Sequence, residues 1–336
     1  MKRKSLTAGI TVQTTADASV EGDAPAHGRI AERVKHQCYK TLKSSHLVQQ
    51  LRIGARRAQP ANLCLYAAKI APVMTRVCLR LLAKLPILEH GPVVRQMASV
   101  SGCRITVDAK LGNGMPMKVF WLDLVSESIR RNGYFERGTV ELLRQLLRPG
   151  QVFIDAGAQL GQYTLLAAGL GARVHAFEPN PSTFSMLEQN VHLNQLEVRL
   201  NPAALSDESG MVTLYDATVD NIGSASMRRP YNYSGSTHQV RCMTLDQYGV
   251  RPDVLKIDTE GAELLVLRGG RQVLSHRPPI ILEFSELHQS KFGISCSDLE
   301  QYLGSMGYQL SLIGHDGQRL QYRRPGLREF VNVLAS

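Results

Sequence analysis

The sequence predicts an α/β protein built on a doubly wound, mostly parallel sheet. After Gly150, short apolar runs alternate with helical segments, which is typical of parallel strands covered on both faces. In the stretch "FIDAGAQLGQYT", residues 153–164, a buried strand ends on an aspartate and an apolar helix opens after two glycines. Sheets of this class bind ligands at such a strand end.

Length and composition indicate one large catalytic domain with an appendage. The 336 residues are 43% hydrophobic and 20% charged, which is ordinary globular composition. We predict a disordered tail at 1–30, a basic and partly helical extension at 31–103, and a catalytic domain at 104–336 with its cofactor-binding core at 150–336. The tail has no apolar signal-peptide core, and the six scattered cysteines form no C-x-x-C pair. These features favour a reducing, cytoplasmic location.

The net charge of +10 lies at the front of the chain. Residues 1–150 hold 24 Lys+Arg and 10 Asp+Glu (24 − 10 = +14), and residues 151–336 hold 15 and 19 (15 − 19 = −4). Such asymmetry favours an acidic partner or surface for the front segment, although a solvated basic face is the commoner case.

Residues 61–89 are apolar, and the cations at 76, 80 and 84 recur along one side of a predicted helix. One interpretation is an interfacial helix on an anionic membrane, peripheral to its inner face. The other is a helix packed on the catalytic domain or on a second subunit. No segment has the roughly 18 consecutive apolar residues that a membrane span needs.

The elements that follow are predicted from periodicity. "RITVDAKLGNGMPMKVFWL" predicts a β-hairpin around Gly-Asn-Gly, and "ERGTVELLRQLLRPG" predicts a helix. The core strands are predicted at "VFIDA", "RVHAFE", "EVRLNPAAL", "DVLKID", "PPIILEFS", "YQLSLI" and "EFVNVLA". Helices are predicted at "GQYTLLAAGLG", "PSTFSMLEQNVHLNQ", "GAELLVLRGGRQVLSH" and "SDLEQYLGSMG". Residues 210–246 interrupt this alternation of strands and helices, which predicts an insertion over the ligand site.

The turn at Asp155, Gly157 and Gly161 indicates a nucleoside cofactor. Glu178 ends the next strand, where an acidic side chain can accept both hydroxyls of a ribose. The glycine spacing is not the dinucleotide G-x-G-x-x-G, and no G-K-[ST] follows. Asp155 would repel a pyrophosphate and attract a cationic sulfonium, so the pattern favours S-adenosyl-L-methionine.

Several ordered motifs, "VFIDAGAQLGQYTLLAA", "VHAFEPNP", "AALSDESG" and "VLKIDTEGAELLVLRGG", resemble the FkbM-type S-adenosylmethionine-dependent methyltransferase family from about residue 129 to 308. The resemblance implies a class I (Rossmann-like) methyltransferase fold, with a seven-stranded sheet whose last strand is reversed, and methyl transfer usually to a hydroxyl oxygen. Gln159 stands where the family usually has asparagine. The cofactor-site residues implied are Asp155, Gly157, Gln159, Gly161, Tyr163, Thr164, Glu178, Pro179, Asn180 and Ala204.

Acidic residues at two later strand ends are the catalytic candidates. Asp258 is the first choice for the base that takes the acceptor's proton or orients it, and Glu260 and Glu283 follow. The alternative is that Asp258 and Glu260 cap the next helix. Oxygen ligands also suit Mg²⁺, but spacing alone does not establish a metal site and we predict none. By position only, His288, Tyr134, Glu136, Asn221 and Ser224 could also touch a ligand.

The sequence therefore predicts an O-methyltransferase acting on a hydroxyl of a saccharide, glycolipid or secondary metabolite. The alternatives are a nucleic-acid methyltransferase and a non-catalytic cofactor-binding protein at a membrane or complex. No RNA-binding module is recognisable, so we expect no nucleic-acid partner. Peripheral association with an anionic surface is predicted only through residues 61–89.

Overall fold

A computed structural model describes residues 104–336 of the chain. The predicted tail at 1–30, the basic extension at 31–103 and the helix within 61–89 lie outside the described residues. Within residues 104–336, no helix combines the length and apolarity that crossing a bilayer requires.

The described chain begins with the predicted hairpin, formed by β1 (Thr106–Lys110) and β2 (Pro116–Phe120). The helix α1 (Leu124–Asn132), which was not predicted, follows it, and the predicted α2 (Arg137–Leu146) comes next. Asp123 begins α1, because its carboxylate accepts the backbone N–H of Ser126 at 2.9 Å.

The central sheet confirms the predicted doubly wound class. In spatial order its strands are β12 (Arg319–Gln321), β11 (Leu310–Ile313), β13 (Val331–Ala335), β10 (Ile280–Phe284), β9 (Val254–Ile257), β3 (Val152–Ala156), β4 (Arg173–Phe177) and β5 (Val198–Asn201). Strands β10 to β5 are parallel, and β13 runs antiparallel between β10 and β11. The reversed last strand is therefore confirmed. The sheet has eight strands instead of seven because β12 pairs with the edge strand β11.

Both faces of the sheet are buried, which fixes where its strands end. Phe153 and Val254 pack in one apolar cluster with α2, whereas Ile154 and Leu255 pack in another on the opposite face. Strands with two buried faces are mostly apolar along their length, so their polar side chains concentrate at or near their ends. The polar residues that follow these strands therefore gather at one edge.

Of the six helices that follow β3 among the described residues, four were predicted and the two shortest were not. The six are α3 (Gln162–Gly169), α4 (Pro181–Leu193), α5 (Leu245–Tyr248), α6 (Glu263–Arg268), α7 (Glu286–Gln289) and α8 (Cys296–Ser305). The predicted helix over residues 261–276 is shorter than expected: α6 ends at Arg268, before Gly269 and Gly270. Ala262 precedes it in a turn. The adjacent glycines end α6 because glycine is a poor helix former.

The predicted third strand, residues 197–205, is split by Pro202. Proline lacks the N–H that a sheet ladder needs. The chain before it forms β5 in the central sheet, and the chain after it forms β6 (Ala203–Leu205) in a separate sheet. There β6 pairs with β8 (Tyr233–Met243), which also pairs with β7 (Gly210–Ala217). The predicted insertion is therefore a hairpin, with a 3-10 turn at Ile222–Ser224 between its strands.

Candidate active site

A cavity of about 370 Å³ lies at the carboxyl ends of the parallel strands. The insertion also lines it, over residues 221–227, as predicted from its position. Nine of the predicted site residues face this cavity: Gly157, Gln159, Tyr163, Glu178, Pro179, Ala204, Asp258, Glu260 and Glu283. The site is therefore assembled from segments more than 120 residues apart in the chain.

The turn after β3 is held by two strands at once. The backbone N–H groups of Gly157 and Ala158 both donate to the carbonyl of Phe177, at 2.9 Å each. Gly157 has φ +86°, and a Cβ there would lie 1.8 Å from the carbonyl oxygen of Asp258. This glycine is required because the loops after β3 and β9 approach each other closely.

Glu178, at the end of β4, is a fixed acceptor on the cavity wall. Its Oε2 accepts the N–H of Gln159 at 2.9 Å, and its Oε1 accepts the N–H of Asn180 and the hydroxyl of Thr183, both at 2.8 Å. Burial raises the pKa of Glu178 to about 7, although these hydrogen bonds oppose the shift. A carboxylate oxygen can accept more than one hydrogen bond, so Oε2 retains capacity for a ligand hydroxyl.

Four predicted cofactor residues support the site without lining the cavity. Asp155 is fully buried, with Thr164 donating its hydroxyl to Oδ2 at 2.6 Å. Gly161 packs against Leu187, and a Cβ there would meet that side chain at 2.6 Å. Asn180 caps α4, because its side-chain oxygen accepts the N–H of Ser182 at 3.0 Å. These side chains point into the packing beneath the loops rather than towards a ligand.

A buried lysine, which the sequence reasoning missed, neutralises part of the site. Lys256 is 1% exposed, and its Nζ lies 3.0 Å from Asp258 Oδ2 and 4.6 Å from the centre of the Tyr163 ring. Burial lowers the pKa of Lys256, but the carboxylates of Asp258, Asp155 and Glu136 outweigh it and raise the pKa overall. The sequence does contain a signal for this lysine, because it stands inside the apolar run "VLKI". A lysine buried in such a run needs buried partners of opposite charge.

The loop before α2 contributes Glu136. The Tyr163 hydroxyl donates to Glu136 Oε2 at 2.7 Å, and Glu136 lines the cavity. Tyr134, from the same predicted segment, does not line it. Burial, and next the charge of Asp258, raise the pKa of Glu136.

Two carboxylates and one imidazole form a compact cluster at the ends of β9 and β10. His288 Nδ1 lies 3.2 Å from Glu283 Oε2 in a hydrogen bond, and 2.9 Å from Glu260 Oε2 in an ion pair. The second contact lacks hydrogen-bond geometry, so the buried Glu260 Oε2 has no hydrogen-bond partner among residues 104–336. A buried acceptor without a donor is a ready position for a ligand hydroxyl.

The electrostatics of this cluster favour proton exchange. Burial raises the pKa of Glu260 and raises that of Glu283 well above its usual range; His288 opposes both shifts. Burial lowers the pKa of His288, but the two carboxylates outweigh it and raise it to about 10. The cluster therefore holds protons more readily than exposed glutamates do, which suits a base working near neutral pH.

The same cluster has the donor set of a divalent cation site. One ligand atom from each of Glu260, Glu283 and His288 lies within 4.8 Å of the other two. Asp258, the third residue considered from sequence, is not in this set. Its Oδ2 is paired with Lys256 instead.

The sequence left open that Asp258 or Glu260 accepts the free backbone N–H groups before α6. In the structure Glu263 accepts them instead. Glu263, the first residue of α6, is fully buried. Its Oε1 accepts the N–H groups of Thr259 and Gly261, at 2.9 and 3.1 Å. The backbone donors of this turn are thus satisfied by Glu263, which leaves Glu260 facing the cavity.

Two hydrogen bonds join the insertion to the residues around the cavity. The N–H of Ile222 donates to the buried Asp123 Oδ1 at 2.9 Å, and the hydroxyl of Ser226 donates to the carbonyl of Glu260 at 3.0 Å. Asn221 and Ser224, predicted by position, both line the cavity, as does His288. Phe135, Thr183 and Phe330 also line it and were missed, because their segments carry no recognisable motif.

The chemistry of the lining fits a nucleoside cofactor with a cationic centre. Among the described residues, five carboxylates face the cavity against the cations Lys256 and His288. They are Glu136, Glu178, Asp258, Glu260 and Glu283. Next to Glu178 the wall is apolar, formed by Phe177, Pro179, Ala204 and Leu205. Such a wall suits a base ring, and the acidic surplus suits a sulfonium and an ammonium.

Comparison with known proteins finds a family model that matches part of the chain. Residues 155–310 match the family model described as "Methyltransferase FkbM domain". This match confirms the resemblance to FkbM-type S-adenosylmethionine-dependent methyltransferases found in the sequence.

Two curated relatives are similar over part of the chain. The 31-O-demethyl-FK506 methyltransferase FkbM of Streptomyces tacrolimicus is 42% identical over 78 residues, which cover 22% of this chain and 30% of that protein. The hexuronic acid methyltransferase AglP of Haloferax volcanii is 28% identical over 150 residues, covering 44% and 62%. The chain thus matches less than two thirds of the length of either relative.

Among solved structures, the ribosomal protein L11 methylase of Lactobacillus delbrueckii subsp. bulgaricus has 15% sequence identity and a TM-score of 0.37. The match covers 60% of this chain and 76% of that one. A similarity with so low a TM-score does not indicate a function for this chain.

Proposed function

Because residues 155–310 are a methyltransferase domain of the FkbM family, we propose that this protein transfers a methyl group from S-adenosylmethionine to a hydroxyl oxygen of a small-molecule or saccharide acceptor. The observation that carries the proposal is that the buried Glu260 Oε2 accepts no hydrogen bond from the described residues, in a cavity that also presents Glu178. The two carboxylates stand at the ends of different strands, β9 and β4, with β3 between them.

The cofactor end of the proposed site is formed by β3 and β4. Glu178 would accept the ribose hydroxyls, and the apolar wall beside it would hold the base. Gly157 and Gln159 would line the path between them, since both face the cavity. When bound, the cofactor supplies a methyl group already activated on its sulfonium, so the protein need only align and deprotonate the acceptor.

The acceptor end is formed by Glu260, Glu283 and His288. We assign Glu260 as the base, because its Oε2 has no competing hydrogen-bond donor among the described residues. His288 is a positioning residue that balances the charge of both carboxylates. Asp258 ranks below Glu260 as the base, because Lys256 Nζ donates a hydrogen bond to its Oδ2 at 3.0 Å, whereas Glu260 Oε2 contacts His288 as an ion pair without hydrogen-bond geometry.

The relatives support a hydroxyl acceptor of the saccharide or secondary-metabolite kind. One relative's name specifies a 31-O-demethyl substrate and the other's specifies a hexuronic acid. Both names describe those proteins, and here they set the first acceptors to assay.

The test is calorimetric titration with S-adenosylmethionine, S-adenosylhomocysteine and NADH, followed by a labelled-methyl assay on hydroxylated acceptors. We expect binding of the first two ligands, weakened in Glu178→Ala and preserved in Glu188→Ala, an exposed control on α4. Binding of NADH alone would overturn the cofactor assignment. Tight cofactor binding without transfer to any acceptor would favour a non-catalytic role.

A further inference from the structure

A basic and aromatic rim joins the insertion to the turn after α7. The guanidinium of Arg228 lies 5.3 Å from the centre of the Phe292 ring, and Lys291 Nζ lies 5.1 Å from the centre of the Tyr231 ring. The contacts are reciprocal, since each segment gives one cation and one aromatic ring. A third cation, Arg229, lies 4.7 Å from the ring centre of Tyr233. We call Arg228, Arg229, Tyr231, Lys291 and Phe292 the rim.

The rim lies beside the acceptor end of the cavity. The N–H of Arg228 donates to the Ser226 hydroxyl at 3.4 Å, and that hydroxyl donates to the Glu260 carbonyl. The carboxylates of Glu260 and Glu283 act electrostatically on Lys291, raising a pKa that burial lowers overall. The rim therefore borders the cluster that we assign to deprotonation.

The rim cations form no direct salt bridge with a carboxylate of residues 104–336. Within the part of the chain that the structure describes, none of Arg228, Arg229 and Lys291 has a carboxylate ion-pair partner. A cation stacked on a ring keeps N–H donors free for an anion. Tyr231 is 76% exposed, so the ring that Lys291 contacts is open to solvent and to a ligand.

We propose that the acceptor carries an anionic group, a carboxylate or a phosphate, which the rim holds while the reacting hydroxyl enters the cavity. This inference rests on the proposed function and narrows its substrate class. The acidic interior repels an anion, so the charged group stays at the rim and only a hydroxyl at a suitable distance from it reaches Glu260. The rim would then select both the acceptor and the position that is methylated.

The test uses the full chain loaded with S-adenosylhomocysteine and two matched pairs of probes. One pair is a tetragalacturonate and its carboxyl-reduced counterpart; the other is a mannose 6-phosphate pentasaccharide and its dephosphorylated form. Binding is measured by calorimetry for the natural protein, for R228M/K291M, and for R271M. Arg271 is a matched control because it lies 5.9 Å from the Tyr302 ring centre and neither residue lines the cavity.

We expect at least one anionic probe to bind about tenfold tighter than its neutral counterpart. This preference should disappear in R228M/K291M, persist in R271M, and weaken between about 0.05 and 0.3 M salt. The pair that shows the preference identifies the anion as carboxylate or phosphate.

Equal binding of charged and neutral probes, a preference that survives in R228M/K291M, or no binding of any probe would overturn the inference. Those outcomes leave the proposed function intact as long as S-adenosylhomocysteine binds. Failure to bind S-adenosylhomocysteine would instead overturn the proposed function itself.

Discussion

At the residue scale, Glu260 differs from the other carboxylates that line the cavity after β9 and in β10, because its Oε2 accepts no hydrogen bond and contacts His288 only as an ion pair. Asp258 is paired with Lys256, Glu263 with backbone N–H groups, and Glu283 with His288. Glu260 Oε2 can therefore take a proton without losing a hydrogen bond, although protonation would weaken its ion pair with His288.

Replacing Glu260 by glutamine should therefore remove proton acceptance while preserving shape. We expect Glu260→Gln to lower kcat by roughly 10²- to 10⁴-fold and to leave S-adenosylhomocysteine binding unchanged. Steady-state methyl transfer and calorimetry would measure the two effects, with Glu188→Gln as the exposed control. Near-normal kcat in Glu260→Gln with a loss in Glu283→Gln would move the role of base to Glu283.

Glu178 should make cofactor binding depend on pH. Its folded-state pKa of about 7 lies above the ordinary value, so its protonated form favours folding and this contribution is lost as pH rises through 7. Ribose hydroxyls donate to the ionised form, so binding has the opposite dependence. We expect affinity for S-adenosylhomocysteine to fall as pH drops below 7, by up to about tenfold per unit.

Calorimetry between pH 5.5 and 8.5 would measure this dependence. Glu178→Gln cannot ionise and should bind weakly with no such slope. A slope that persists in Glu178→Gln would assign the titration to another group.

At the scale of elements, two glycines with similar φ angles allow the cost of a strained backbone to be measured apart from the cost of a steric clash. Gly157 and Gly114 have φ of +86° and +88°, but only Gly157 faces a backbone oxygen, whereas Gly114 has open space within 4 Å. A Cβ at Gly114 would therefore cost only the strain of the positive φ, with no steric clash.

We expect Gly114→Ala to lower the free energy of unfolding by about 1–2 kcal/mol. Gly157→Ala should cost at least about 4 kcal/mol, because the collision with Asp258 adds to the same strain. Urea denaturation of both variants measures the difference. Equal losses would mean that the loops after β3 and β9 separate easily, contrary to the structure.

The elements that sequence reasoning predicted are those with a strong period or a punctuating residue. The helix α2 has a strong helical period, Gly-Asn-Gly marks the turn of the hairpin β1–β2, and Asn180 and Pro181 mark the start of α4. The strand β12 was missed because its three residues are all exposed and show no apolar alternation. The break at Pro202 was overlooked, although its missing N–H was visible in the sequence.

The candidate site was predictable where it follows strand ends, as at Glu178 and Glu283. It was not predictable where side chains meet across distant segments. Lys256 looked like a charge in a core strand until Asp258, Asp155 and Glu136 were brought around it. The rim likewise depends on residues 228 and 292, which no sequence period connects.

At the scale of the whole molecule, charge divides the chain into two unlike parts. Residues 1–103 hold 16 Lys+Arg and 5 Asp+Glu (16 − 5 = +11), and residues 104–336 hold 23 and 24 (23 − 24 = −1). Residues 104–336 are thus close to neutral, and any attraction to an anionic surface should come from the first 103 residues.

We expect the full chain to co-sediment with anionic vesicles and not with neutral ones, through the cations of residues 61–89. Each cation near such a surface contributes about 1 kcal/mol, so R76Q/R80Q/K84Q should reduce binding strongly. The matched control R148Q/R199Q/R241Q removes three exposed cations from residues 104–336. Equal loss in both variants, or binding to neutral vesicles, would contradict this assignment.

The break at Pro202 has a consequence for how such a protein diversifies. No strand pairing joins the sheet of the insertion to the central sheet among the described strands. Substitutions in the connection between β7 and β8, residues 218–232, can therefore reshape the cavity lining without shifting the register of the strands beneath Glu178. Under the proposed function, related sequences would change acceptor through this connection while the strand ends that hold the cofactor are kept.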